Sequence, residues 1–267
     1  DNRKVNINEE NKIIYPNLSS VKGFGEGVAE TLYQLGNEKY STFVDVITAL
    51  LSNSISKTIV DKLIRINYFK KYGDINTLLS IMSYYDLLYG IKQISKEKAE
   101  KNNISVAVLK EYGHETEKQF NKVDSIGLLN YLISQIPFKE LTLKETLDNQ
   151  REILGIVNIV VPTMNKRIYY VSELDVKKSI VNISLYEIYS GKTRTVKMWT
   201  SAYNRDPFGE GSILYITSIE KKNKKEPTGE INLKTGKKIY KEVPDKFEYW
   251  LGKFVVKNDV EDGEEDD

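Results

Sequence analysis

The stretch Leu18 to Leu32, LSSVKGFGEGVAETL, places glycine, lysine and apolar anchors at a spacing that can grip a phosphate. Leu18 and Val21 are followed by Gly23-Phe24-Gly25, and Val28, Ala29 and Leu32 then recur on one helical face. This is the pattern of a helix-hairpin-helix, in which a second helix starts directly at a glycine turn. Glycine lets the backbone approach a ligand with no Cβ in the way. The first amides of the second helix have no partner inside the helix and sit at the positive end of its dipole. Such amides can hold a nucleic-acid phosphate without reading bases. The expected contact set here is Lys22, Gly23, Phe24, Gly25, Glu26 and Gly27, helped by Lys57. A purely structural turn is the rival reading. Apolar residues flanking the glycines at helical spacing favour the grip.

A second set lies in the C-terminal third. Lys192, Arg194, Lys197, Trp199, Tyr203 and Arg205 mix cations with aromatic rings, the chemistry that binds a single strand by charge and stacking. Lys197 and Trp199 share one strand face at i and i+2. Trp199 is equally placed, on this reading, to be a core residue. Ser190-Gly191-Lys192-Thr193 mimics the end of a nucleotide-binding loop, but Tyr186 stands where that loop needs glycine, and a strand follows instead of a helix. It reads as a hairpin turn. His114 is the single histidine, beside Glu111, Glu115 and Glu117, and reads as a solvated helix residue. Glu173 and Asp175 lack a third partner for two-metal chemistry and read as part of a turn. No catalytic or metal-ligating residue is assigned.

The surrounding elements must position these residues. Ile13 to Tyr15 reads as a short strand before Pro16. Ser41 or Thr42 can cap a helix that buries Phe43, Val46, Ile47 and Leu50. Ser56 can cap another that buries Ile59, Val60, Leu63 and Ile64, and 74–90 reads as a further apolar helix. Residues 91–150 read as a helical connector. From about residue 153 the texture turns to β. Strands are expected at 156–161, 183–189, 192–199, 211–219 and 249–256, with turns at Ser190-Gly191, Thr228-Gly229 and Thr235-Gly236. The expected class is α+β: a helix-hairpin-helix domain over 1–90, the connector, a small barrel like an oligonucleotide-binding (OB) fold over 151–258, and an acidic disordered tail over 259–267.

Composition narrows the classes. The chain has 267 residues, 40% of them apolar and 29% charged, enough for one large or two ordinary domains. It has no cysteine, which excludes disulfides and thiolate metal sites. No apolar run approaches a membrane span and no stretch reads as a signal peptide, so a cytoplasmic protein without membrane contact is expected. The net charge of +1 hides an asymmetry. The last nine residues hold seven acids, and removing them leaves +8 on residues 1–258, a body suited to a polyanion.

Three segments in order resemble the C-terminal part of DNA polymerase III α subunits, the C-family replicative polymerases of bacteria and phages. LSSVKGFGEGVAETL is similar to that family's I-K-G-V-G-E-x-A hairpin. YSTFVDVITAL with ISKTIVDKLIRINYFKKYGD is similar to its F-x-S-L-x-D-F segment and the helix ending in G-A-F-D. DNQREILGIV is similar to its E-K-E-x-L-G stretch, which leads into the OB domain. Asn67-Tyr68-Phe69 replaces G-A-F, and Asn158-Ile159-Val160 replaces the usual G-H-P. The resemblance implies a part of a DNA-directed DNA polymerase that holds primer–template duplex and single-stranded template. The palm, with its paired aspartates and Mg²⁺ ions, lies upstream in that family and has no counterpart here. The chain by itself is therefore expected not to polymerise and to carry no cofactor. Other replisome proteins are candidate partners. A sliding-clamp peptide is not supported, because Gln150-Arg151-Glu152-Ile153-Leu154 lacks the aromatic residue. The rival functions are a stand-alone repair or recombination DNA binder, and an interaction module that does not bind DNA.

Overall fold

The computed structural model describes residues 6–8, 13–15, 17–231, 236 and 238–257, and the chain is mixed α+β. It divides into two compact units, 1–141 and 142–267. The acidic tail at 259–267 lies outside the described residues, as does most of the Thr235-Gly236 turn.

The first unit opens with a two-stranded ribbon, β1 (Asn6–Asn8) and β2 (Ile13–Tyr15). A single 3₁₀ turn at Leu18–Ser20 leads through the glycine elbow into α1 (Glu26–Gly36). Then follow α2 (Phe43–Ser52), α3 (Lys57–Arg65) and α4 (Ile75–Leu88). Of the two expected caps for α2, Thr42 is the one used, in a reciprocal capping box with Asp45, and Ser56 caps α3 as expected. Burial follows the helical period. Ala29 and Leu32, Phe43, Val46, Ile47 and Leu50, and Val60, Leu63 and Ile64 form the core face.

The expected all-helical connector is richer. It contains β3 (Gln93–Ser95), α5 (Lys96–Lys101), α6 (Val106–Tyr112), β4 (His114–Glu115), β5 (Gln119–Asn121) and α7 (Ser125–Ser134). The three strands pair in the order β3-β5-β4 around the fully buried Phe120. His114 is therefore an exposed strand residue, not a helical one.

The second unit begins with α8 (Leu143–Leu154), capped by a Thr142–Glu145 box. Its strands are β6 (Ile168–Val176), β7 (Ile180–Glu187), β8 (Lys192–Trp199), β9 (Ile213–Ile216), β10 (Ile219–Ile231), β11 (Lys238–Leu251) and β12 (Phe254–Lys257), with the short α9 (Thr200–Tyr203) after β8. Their order is β10-β11-β8-β7-β6-β9-β12. β9 runs into β10 through Thr217-Ser218, and β11 into β12 through Gly252-Lys253, so both ends of the sheet belong to one bent hairpin. With each bent pair counted as one strand, the pairing runs first, second, third, fifth, fourth and back to first. The third and fifth strands are parallel, touching at Lys197 and Trp250. β6 pairs with β9 on one edge at Ile168–Tyr170 and with β7 on the other along most of its length, with a register shift between Val171 and Glu173. At the corner a Cβ on Gly252 would stand 2.2 Å from Ser218 Oγ and 3.1 Å from Ser218 O, so glycine lets the two segments approach closely here.

One face of the strands forms a common core of Val171, Val181, Ile183, Leu185, Val196, Met198, Leu214 and Ile216, with Phe208 from the loop after α9. On the other face α8 covers Ile168, Tyr170, Tyr186 and Ile213 with Leu147. Tyr170 donates to Asp148 Oδ1 at 2.7 Å and accepts from Arg151 Nε at 3.1 Å. Burial, then the carboxylate of Asp148, pushes the Tyr170 hydroxyl pKa far up. Residues 156–161 are not a strand. Val161 donates one backbone bond to Ile188 and Asn158 donates to the Gln150 side chain, so the run is a pinned coil with half-buried valines and isoleucine. Thr228-Gly229 is a register irregularity within β10, not a turn. The Ser190-Gly191 pair belongs to a wider connection, 188–191, in which both amides donate to Glu187 O.

Candidate nucleic-acid interface

The glycine elbow is built by a short chain of local causes. Gly23 has φ +88°, a conformation that favours glycine. That bend turns Phe24 inward, where it is 4% exposed, and its amide donates to Val21 O at 2.9 Å. Gly25 then returns to extended backbone, φ −85° and ψ 170°, as the N-cap of α1, with no side chain to cap the helix. Gly23, Gly25, Glu26 and Gly27 are all exposed. Among the described residues no acceptor reaches the amides of Gly25, Glu26 or Gly27. The set of outward, unpartnered amides is thus narrower than the expected contact set. Phe24 belongs to the anchor, because both its amide and its ring are spent inside the protein.

Two cations flank the elbow, and one of them differs from the expectation. Lys22 is exposed at the turn. Lys62 of α3 reaches across 40 residues of chain, donating from Nζ to Lys22 O at 3.0 Å, and lies 3.1 Å from where a Gly23 Cβ would be. Lys57, assigned to the elbow from sequence, instead pairs with Asp86 of α4 at 2.7 Å. Five residues on a helix turn through about 140°, so Lys57 and Lys62 cannot serve the same side of α3. Sequence spacing carried no signal for Lys62, because its partner is remote in the chain.

The same local fold recurs three more times in this unit. Ser54 (φ +64°), Asn103 (φ +57°) and Lys122 (φ +50°) each precede a buried apolar residue, Ile55, Ile104 and Val123, and then an N-cap. In those copies the cap is filled: Ser56 accepts from Ile59 N, Ser105 from Val108 N and Asp124 from Gly127 N.

In the second unit the expected residues separate by strand alternation. Lys192 and Arg194 share a face with the core residues Val196 and Met198, with Arg194 lying 6.0 Å from the centre of the Tyr169 ring. Lys197 and Trp199 occupy the opposite face. Trp199 is 52% exposed, which decides against a core role, and it leans on Trp250 of β11 with ring centres 4.6 Å apart. Lys197 is paired to Glu248 at 2.5 Å. Burial works against the Glu248 carboxylate, but bonds from Lys197 and the Trp250 indole outweigh it and hold its pKa below the usual range. Lys222 of β10 stands 5.0 Å over Trp250. Sequence reading missed Trp250 and Lys222, which reach this face only through β-pairing. Tyr203 is not a stacking platform: its hydroxyl donates to Phe208 O at 2.6 Å and its ring packs edge-on against Phe208 and the core of the sheet. Arg205 is exposed in the loop after α9.

Among the described residues no three His, Cys, Asp or Glu side chains converge as metal ligands, and no helix is long and apolar enough to cross a membrane. Compared with protein-family models, curated proteins and solved structures, the chain matches none.

Proposed function

We propose that this chain holds DNA without reading its sequence, as the C-terminal part of a replicative polymerase similar to DNA polymerase III α. The observation that carries the reading is the uncapped, exposed elbow at Gly25–Gly27 with the Lys62 ammonium drawn against it. Backbone amides at a helix start, beside cations, bind a phosphate of any sequence. A helix-hairpin-helix of this kind takes the duplex backbone. The strand order of the second unit, with third and fifth strands parallel and a short helix before the fourth, supports an OB-type barrel. Such barrels bind single strands on their second and third strands and on the hairpin between the fourth and fifth. Here those positions carry Trp199 and the lysine-rich β10–β11 hairpin. The reading assigns DNA holding, and no bond-making step, to these residues.

Fluorescence anisotropy with labelled duplex and single-stranded DNA tests this at low salt and across a salt series. Micromolar or tighter binding is expected, weakening as salt rises. Gly25→Val should remove duplex binding with the fold intact, since no atom lies within 4 Å of a Cβ there and φ −85° suits any residue. Absence of binding to both DNAs at micromolar protein overturns the reading in favour of an interaction module.

A further inference from the structure

A cavity of about 260 Å³ opens in the helical unit beside the last turn of α1, along α2 and under the turn that follows α3. Leu32, Val46 and Leu50 form its aliphatic wall, and Tyr68, Phe69 and Tyr72 its aromatic one. Pockets for drug-sized ligands run to roughly 300–1,000 Å³, so this one suits a single ring system. Three polar features mark it. The Tyr72 hydroxyl is buried and, among the described residues, has no hydrogen-bond partner. Glu38 at the rim accepts from the Tyr40 hydroxyl on Oε2 at 2.8 Å. Lys71 holds its ammonium 4.7 Å from the centre of the Tyr72 ring, next to the exposed Lys70.

We propose that this cavity takes one unpaired nucleobase of the bound DNA, with the adjoining phosphate on Lys71. The proposal rests on the DNA-holding reading and extends it to a second contact in the same unit. The aromatic wall stacks on the face of any base. The other carboxylate oxygen of Glu38 accepts an exocyclic amine, as carboxylates do from cytosine. An aliphatic side chain alone would fill the volume but make no use of Glu38 or of the Lys70–Lys71 charge at the rim. The elbow and the cavity lie at opposite ends of α1, whose 11 residues span about 16 Å. That is about five nucleotides along a stacked strand, so one strand can reach both.

The test titrates deoxyadenosine monophosphate into the full chain and follows the tyrosine ring signals by NMR, in parallel with duplex binding by anisotropy. Saturable shifts are expected in the wild type. Ala49→Trp, which fills the cavity, should abolish them while leaving duplex affinity within about twofold, and Tyr68→Ala should weaken the nucleotide by roughly five- to hundred-fold without a core substitution. Lys71→Glu should weaken the nucleotide and Lys62→Glu should not. Circular dichroism verifies folding of each variant. Wild-type protein that binds duplex but shows no saturable shift overturns the cavity proposal alone. So does a nucleotide response unchanged in both Ala49→Trp and Tyr68→Ala, or saturation of the cavity by an acidic peptide with a leucine anchor but not by the nucleotide. Nucleotide saturation with no duplex binding fails the elbow alone.

Discussion

The elbow at Gly23–Gly25 and its copy at Ser54–Ser56 share a backbone design and differ in what they do with their amides. In each, a positive-φ residue swings the next, apolar residue into the core, and the residue after it starts a helix. At Ser56 the hydroxyl answers an α3 amide, and the first lysine of that helix is paired to Asp86. At Gly25 no side chain answers, and a lysine from elsewhere in the chain is brought in. The copy shows that this bend is an ordinary way to join elements here. A capped elbow is satisfied by its own protein; an uncapped one beside two cations is open to an anion. Glu26 qualifies the contrast, since its carboxylate in the first turn already complements the α1 dipole and opposes an incoming phosphate.

The comparison can be broken most sharply by reversing the imported charge. Lys62→Glu is expected to lower duplex affinity by about a hundredfold at low salt, and Lys62→Ala to reduce the salt slope by about one. Lys57→Ala should stay near wild type. If the two lysines behave alike in anisotropy titrations, the distinction between the elbows fails. Gly25→Ser comes next. It converts the first elbow to the capped form, so duplex affinity should fall about tenfold while thermal stability rises by the few tenths of a kcal/mol that separate serine from glycine at an N-cap. Ser56→Gly should lose that stability and gain no affinity.

A smaller effect separates the two units. Trp199→Ala should cost single-stranded DNA about 1 kcal/mol and leave duplex binding unchanged. A loss on both DNAs would show that the exposed tryptophan face does not act independently of the elbow. The smallest effect concerns the contact between β8 and β11. The pKa of Glu248 is depressed in the folded state, so its contribution is complete above the unfolded value of about 4.3 and fades as pH falls through the lower, folded one. Tryptophan fluorescence should report loosening around Trp250 only as pH falls below about 4.3. A transition near neutral pH would point to another group.

Legibility followed the range of the forces involved. The caps at Thr42 and Ser56 and the buried stripes of α2 and α3 were readable because they depend on neighbours three or four residues away. The small sheet at 93–121 was not, since its strands have two or three residues and earn their place by covering Phe120. Residues 156–161 misled in the opposite direction. Their β-branched composition reads as a strand, yet the segment makes one long-range backbone bond, Val161 N to Ile188 O, and is otherwise held by the side chains of Gln150 and Tyr186. In the site, the glycine spacing revealed the elbow, while Phe24, Lys57 and Tyr203 looked available and are occupied within the protein.

What the order of residues determined by itself is the set of local commitments: where helices start, which faces are apolar, and that a glycine bend leaves a helix start without a capping side chain. Each follows from steric and hydrogen-bonding rules acting over a single turn. Which charge serves that bend, which ring stays at the surface, and how seven strands close through one bent hairpin were settled only by the tertiary structure. These depend on pairs separated by tens of residues, Lys62 with Lys22 and Lys197 with Trp250, and no local preference specifies such a pair until packing brings its members together.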